Sequence, residues 1–156
     1  MAARIINGTA ELKALVGEHL GYSEWMEITQ ERVNQFADAT GDHQYIHVDP
    51  ERAAQTFFGG TIAHGYLTLS LLPMLSQGRN GVKIQLGGKM GVNYGLNKVR
   101  FTAPVRVGKR IRVRTTLVAV DEIGDRAVQT TNLNTIEIEG EERPACVAET
   151  VGRTYF

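Results

Sequence analysis

Phe36–Pro73, FADATGDHQYIHVDPERAAQTFFGGTIAHGYLTLSLLP, is the stretch whose reading decides the fold. Its first half gathers Asp38, Asp42, His43, His47 and Asp49 into twelve residues that also hold Gly41, with Pro50 immediately after them. Its second half places His64 and Gly65 just ahead of YLTLSLLPMLSQG, a run apolar on nearly every face. A helix that is hydrophobic all round is a buried helix, and this one is too short to cross a membrane. Pro73 should kink it, because proline lacks the N–H that the next turn needs. Gly78 should end it.

Upstream, Thr9-Ala10-Glu11-Leu12 opens a short helix that Gly17 ends, and Trp25, Met26 and Ile28 suggest a brief strand. Thr29 is placed to cap a second helix, with Val33, Phe36 and Ala37 as its buried stripe. That helix runs out at Ala39-Thr40-Gly41, so Asp42–Val48 reads as an ordered loop. Asp49-Pro50 restarts a helix, with Asp as N-cap and Pro in the first turn. Ala53 and Ala54 let it pack closely, and Phe57-Phe58-Gly59-Gly60 breaks the pattern again. Downstream of the central run the chain is β. Strands are expected over 82–86, 91–94, 98–102, 110–120, 127–138 and 145–155, with turns at Gly124-Asp125 and Gly140. In the clearest of them Ile111, Val113, Thr115, Leu117 and Ala119 share one face, with Arg110, Arg112 and Arg114 opposite. Helices followed by a run of antiparallel strands make an α+β pattern, here a curved sheet wrapped around the one buried helix.

The bulk composition narrows the function classes. The 156 residues fit one domain, 1–156, large enough to bury most of its apolar surface. Seventeen basic and seventeen acidic side chains cancel. No global field therefore draws the chain to nucleic acid or anionic lipid. Neither a membrane-spanning run nor a signal-peptide core is present. The single cysteine, Cys146, excludes an internal disulfide and fits a reducing cytoplasm. It alternates with Ala148 and Thr150, the place of a small buried strand residue rather than a reactive thiol.

Asp42 and His47 are the candidate proton-handling pair. Five residues apart on a loop, they can meet over one water if the turn brings them together. By themselves they fit a turn cap and a satisfied loop histidine better. Asp49 is explained by its capping role, Asp38 by an exposed helix surface and His43 by a solvent-facing position. Metal ligation is a further reading of the cluster. His43 and His47 have i, i+4 spacing, but Gly41 and the loop composition make their segment non-helical, so no metal is expected. Gly65 serves as helix-starting filler or, more sharply, lets a ligand carbonyl approach the first free N–H groups of the helix, where the dipole favours negative charge. His64 is placed to orient the loop through a backbone hydrogen bond.

Thr40-Gly41-Asp42-His43-Gln44-Tyr45-Ile46-His47-Val48-Asp49-Pro50, with Ala53 and then Ile62-Ala63-His64-Gly65, resembles the MaoC-like (R)-specific enoyl-CoA hydratase family. Gln44-Tyr45 and the later NYGLNKVRF run are similar to its nodulation protein N-like branch. The resemblance implies a hot-dog fold, a long helix wrapped by an antiparallel sheet, and a homodimer. It also implies reversible syn hydration of trans-2-enoyl thioesters to (R)-3-hydroxyacyl thioesters, with an acyl-CoA substrate and no cofactor. By position, Asp42 and His47 match the catalytic pair and Gly65 the backbone donor to the thioester oxygen. Many members have Asn-Pro where Gln44-Tyr45 stands, and a serine that some use along the helix falls at Pro73.

Lys98 and Arg100 share one strand face, as i and i+2 must, and offer charge to the phosphates of coenzyme A. The Arg110, Arg112 and Arg114 row fits a solvated strand face better. Three rivals to the hydratase remain. One is a hydroxyacyl-carrier-protein dehydratase running the reverse reaction. The second is a hot-dog thioesterase, which needs an acid that the run after Gly65 does not supply. The third is a non-catalytic acyl-thioester-binding protein.

Overall fold

The computed structural model describes residues 3–156. Its helical half begins with β1 (Arg4–Asn7) and α1 (Gly8–Lys13), followed by β2 (His19–Tyr22) and β3 (Met26–Glu27). Next come α2 (Gln30–Thr40), α3 (Tyr45–Val48), α4 (Pro50–Ala54), α5 (Gly65–Ser70) and α6 (Leu72–Gln77). The expected caps are present. The Thr29 hydroxyl accepts from Arg32 N–H at 3.2 Å and Asp49 Oδ1 accepts from Arg52 N–H at 3.1 Å. Gly41 ends α2 in the left-handed region (φ +78°), its N–H on the Ala37 carbonyl. Asp42–Val48 is not all loop, because Tyr45–Val48 winds into one helical turn. In α1 the capping position belongs to Asn7, whose N–H is held by Glu11 Oε2 at 2.8 Å, rather than to Thr9.

The β half supplies β4 (Val82–Gln85), β5 (Met90–Arg100), β6 (Arg110–Ile123), β7 (Ala127–Ile138) and β8 (Cys146–Tyr155). The main sheet runs β2-β6-β7-β8-β5, with β3 also on β6, and its pairings are antiparallel. The segments expected separately at 91–94 and 98–102 are one strand, β5. It is bent by register shifts at Asn93/Gly95 and Leu96/Lys98, where the glycine and Asn97 interrupt the ladder without ending it. A similar shift between Leu117 and Ala119 reverses the alternation of β6, so Val120, not Ala119, reaches the core beside Leu117. β4 does not join the main sheet. It pairs in parallel with β1, a strand too short to announce itself in the sequence.

Leu67 of α5, Leu71 at the break, and Leu72 and Leu75 of α6 bury themselves against Ile111, Val113, Ile136, Ile138 and Ala148 of the sheet. This is the hot-dog arrangement, a helical rod on the inner face of a curved antiparallel sheet. Two details differ from expectation. The rod divides at Leu71 rather than merely kinking, since Pro73 cannot donate to the turn before it. It also keeps one open face, along which Tyr66, Ser70, Pro73, Met74 and Gln77 are exposed. A second core under β1 and β4 joins Ile6, Leu12, Leu15, Leu20 and Leu117. Cys146 is fully buried, and burial pushes its thiol up to about 11, the inert state expected of a core strand cysteine.

Candidate active site

Between α2 and α5 the chain folds back so that Thr61–Ala63 lies against two neighbours. Ile62 N–H reaches the Ile46 carbonyl at 3.0 Å, while Ala63 N–H and Val107 N–H pair with Val105 and Thr61 carbonyls. This short ladder sets His64 directly on His47. Their rings stack with centroids 3.8 Å apart and planes 23° from parallel. Gln30 ties the assembly from below, its amide nitrogen donating to the His47 carbonyl at 2.7 Å and its oxygen accepting from the Thr61 hydroxyl at 2.6 Å. Nothing in the helical pattern of α2 marks Gln30 for this task. Its position one residue after the Thr29 cap, where α2 meets the loop, is the only sequence signal.

The hydrogen bonds settle the tautomers. His47 Nδ1 lies 2.7 Å from the Ile62 carbonyl, which can only accept, so Nδ1 carries the proton and the Nε2 lone pair is free. His64 Nε2 lies 3.0 Å from the Asp42 carbonyl and is therefore the protonated nitrogen. Asp42 Oδ1 accepts from Gln44 N–H at 3.3 Å, closing a local turn. One ligand atom each from Asp42, His47 and His64 lies within 4.8 Å of the others. Both imidazoles are buried, whereas Asp42 is exposed at the mouth. Burial is the main influence on His47 and pushes it below the usual 6.5. The Ile62 bond works against that, the His64 ring with it and Asp42 against it. The site therefore holds a neutral imidazole with an open lone pair beside a carboxylate, an arrangement that can accept a proton from a shared water. It suits a metal less well: near-parallel stacked rings direct their in-plane lone pairs along separate planes instead of toward one point.

A MaoC-like domain model matches residues 11–138. The chain belongs to the MaoC-like family. It is 56% identical over 150 residues to 3-hydroxyacyl-thioester dehydratase Z of Mycobacterium tuberculosis, covering 96% of this chain and 97% of that protein. It is also 47% identical over 149 residues to Nodulation protein N of Rhizobium leguminosarum bv. viciae, covering 94% and 91%. Among solved structures, the (R)-hydratase from A. caviae involved in PHA biosynthesis superposes with a TM-score of 0.70 at 28% identity, over 88% of this chain and 94% of that one. The chain is accordingly a MaoC-like hydro-lyase, a hydratase or dehydratase of acyl thioesters with the hot-dog fold.

Within this MaoC-like framework the other sequence candidates separate. Gly65 opens α5 as expected, but the space where its side chain would stand belongs to Phe101: a Cβ would lie 3.0 Å from that ring. His43 is drawn to Asp38 at 2.8 Å, on the exposed surface and away from His47. Lys98 and Arg100 are exposed on β5, opposite to Val99, which packs on the core. Among the described residues neither forms an ion pair. The arginine row is structural. Arg110 pairs with Glu139 and Arg112 with Glu137, and Arg112 also lies over the rings of Tyr22 and Trp25 at 4.2 and 4.5 Å. Among the described residues no helix is long and apolar enough to cross a membrane.

Proposed function

We propose that the chain is an (R)-specific enoyl-CoA hydratase, adding water reversibly and syn to trans-2-enoyl-CoA to give (R)-3-hydroxyacyl-CoA. The observation that carries this reading is the convergence of Asp42 with His47, whose Nδ1 is committed to the Ile62 carbonyl and whose Nε2 is left to act. Conjugation with the thioester makes the β-carbon electrophilic. N–H donation from the start of α5, at Gly65, draws charge onto the carbonyl oxygen. A water held by Asp42 and His47 loses a proton to Asp42 as its oxygen attacks the β-carbon. The same pair returns a proton to the α-carbon as the enolate collapses, so both additions fall on one face. His47 orients the water and shares the proton, and the two groups titrate as a pair. Lys98 and Arg100 meet the coenzyme A phosphates.

The working unit is a homodimer. β5 pairs on one side only, with β8, and leaves an eleven-residue edge open. Tyr66 (71% exposed) and Met74 (44%) on the open face of the rod, with Tyr94 and Leu96 on β5, supply apolar surface for a second copy.

The dehydratase direction is the second reading, and the relative named 3-hydroxyacyl-thioester dehydratase Z favours it. Both readings share one transition state, so the substrate carrier and product decide between them. Hydration rates on crotonyl-, octenoyl- and dodecenoyl-CoA, with chiral analysis and a parallel assay on carrier-protein thioesters, test the proposal. An (R)-3-hydroxyacyl-CoA product supports it. Activity confined to carrier-protein thioesters replaces it with the dehydratase reading, and an (S) product ends it.

A further inference from the structure

The sheet's inner face carries a polar band where an apolar core is the ordinary filling. The Thr115 hydroxyl donates to Asn134 Oδ1, and Asn134 Nδ2 donates to the Thr150 hydroxyl, both at 2.9 Å across β6, β7 and β8. Asn132 stands two residues along the same face of β7. Opposite this band, Leu69, Leu72 and Ser76 of the rod form the other wall of an open pocket of about 600 Å³, bordered by Tyr94 and Leu96 of β5, which also belong to the proposed dimer contact, and by Arg79 beyond α6. Among the described residues two that line this pocket each hold a buried polar atom without a partner, Arg79 Nε and Asn132 Oδ1. Nor does any described carboxylate form an ion pair with Arg79.

We propose that the cavity receives an acyl chain whose far end is a carboxylate, seated on the Arg79 guanidinium. The proposal rests on the thioester reading above and narrows its substrate class to thioesters of dicarboxylic acids. A plain hydrocarbon tail would leave the Arg79 and Asn132 atoms unpaired against methylene groups, which costs free energy for each of them. A carboxylate instead accepts two parallel bonds from the planar guanidinium, the pairing for which arginine is suited. A turn of the Asn132 carboxamide adds an N–H to the same oxygens. The reach is appropriate: the rod measures roughly 18 Å between Gly65 and Gln77 at 1.5 Å per residue. A thioester at Gly65 thus sends its tail along Leu69 and Leu72 before it meets Arg79. Burial already pulls the guanidinium below its usual value, as befits a cation held without its counter-charge.

The test is calorimetric binding of octanoyl-CoA and dodecanoyl-CoA against the mono-CoA thioesters of the corresponding dicarboxylic acids. The wild-type protein should bind the carboxylated member of at least one pair about tenfold more tightly, the size of a charge-assisted hydrogen bond. Arg79→Met should abolish the preference, and Arg79→Lys, which keeps charge without the fork, should retain part of it. Melting temperatures establish that both variants fold, and the wild-type comparison needs no variant. Equal affinity within both pairs would overturn the proposal, whether water or a second copy of the chain fills the cavity. A preference that survives Arg79→Met would also overturn it. Because binding is read apart from turnover, failure of the hydration assay would count against the hydratase reading alone.

Discussion

At the residue scale, the proposed mechanism requires a neutral His47. Its imidazole is held below 6.5 in the folded chain, chiefly by burial. The unfolded chain therefore binds more protons just below pH 6.5, and the stability that His47 contributes is full above that value and lost as pH falls through the folded value. The wild-type melting temperature should decline on acidification below pH 6.5 more steeply than that of His47→Gln. The acid limb of kcat/KM should likewise lie below pH 6.5, because proton uptake by Nε2 removes the acceptor. An acid limb at or above 6.5 would mean that another group governs turnover. Asp49 was legible from the sequence because a cap acts on residues three positions away. The stack of His64 on His47 was not, because it depends on the Thr61–Ala63 ladder, which brings distant segments together. The role suggested for His64, orienting the loop through a backbone bond, is the one it has on the Asp42 carbonyl.

At the element scale, the start of α5 joins packing to the proposed chemistry. Gly65→Val would drive a branched side chain into the Phe101 ring, which already stands 3.0 Å from a bare Cβ. The variant should melt at a lower temperature and lose turnover by the ~3 kcal/mol typical of a displaced oxyanion donor. Adding Phe101→Ala should restore the melting temperature but not the rate, if the N–H donors are what the valine obstructs. Full recovery of both would reduce Gly65 to a packing residue. Elements with strong local signals read well: the Thr29 and Asp49 caps, the Gly41 stop, and the alternation of Ile111, Val113, Thr115 and Leu117. The failures have two physical origins, strands too short to show a period and pairing between distant segments. β1 and β2 are four residues each and have too few alternations to register, and β4 found its partner at the far end of the chain. The register shifts of β5 and β6 arise from cross-strand pairing, which local periodicity does not record.

At the scale of the whole molecule, the open edge of β5 and the exposed face of the rod predict a dimer. Light scattering at micromolar concentration should return twice the mass of the 17.2 kDa chain, and Tyr94→Lys should shift it toward one chain by placing charge in the apolar contact. A wild-type monomer would contradict the proposed assembly. The catalytic claim is tested most directly by crotonyl-CoA hydration in Asp42→Asn, His47→Gln and the double variant, with melting temperatures alongside. If both groups act on one water, each single change should lower turnover on the order of 10² or more. The double variant should be little worse in turnover than the worse single. Asp42→Asn should melt close to wild type, whereas the two variants without the buried His47 ring, its stack on His64 and its bond to Ile62 should melt lower. An Asp42→Asn protein that keeps more than about a tenth of wild-type turnover, far short of a general-base loss, would contradict the account.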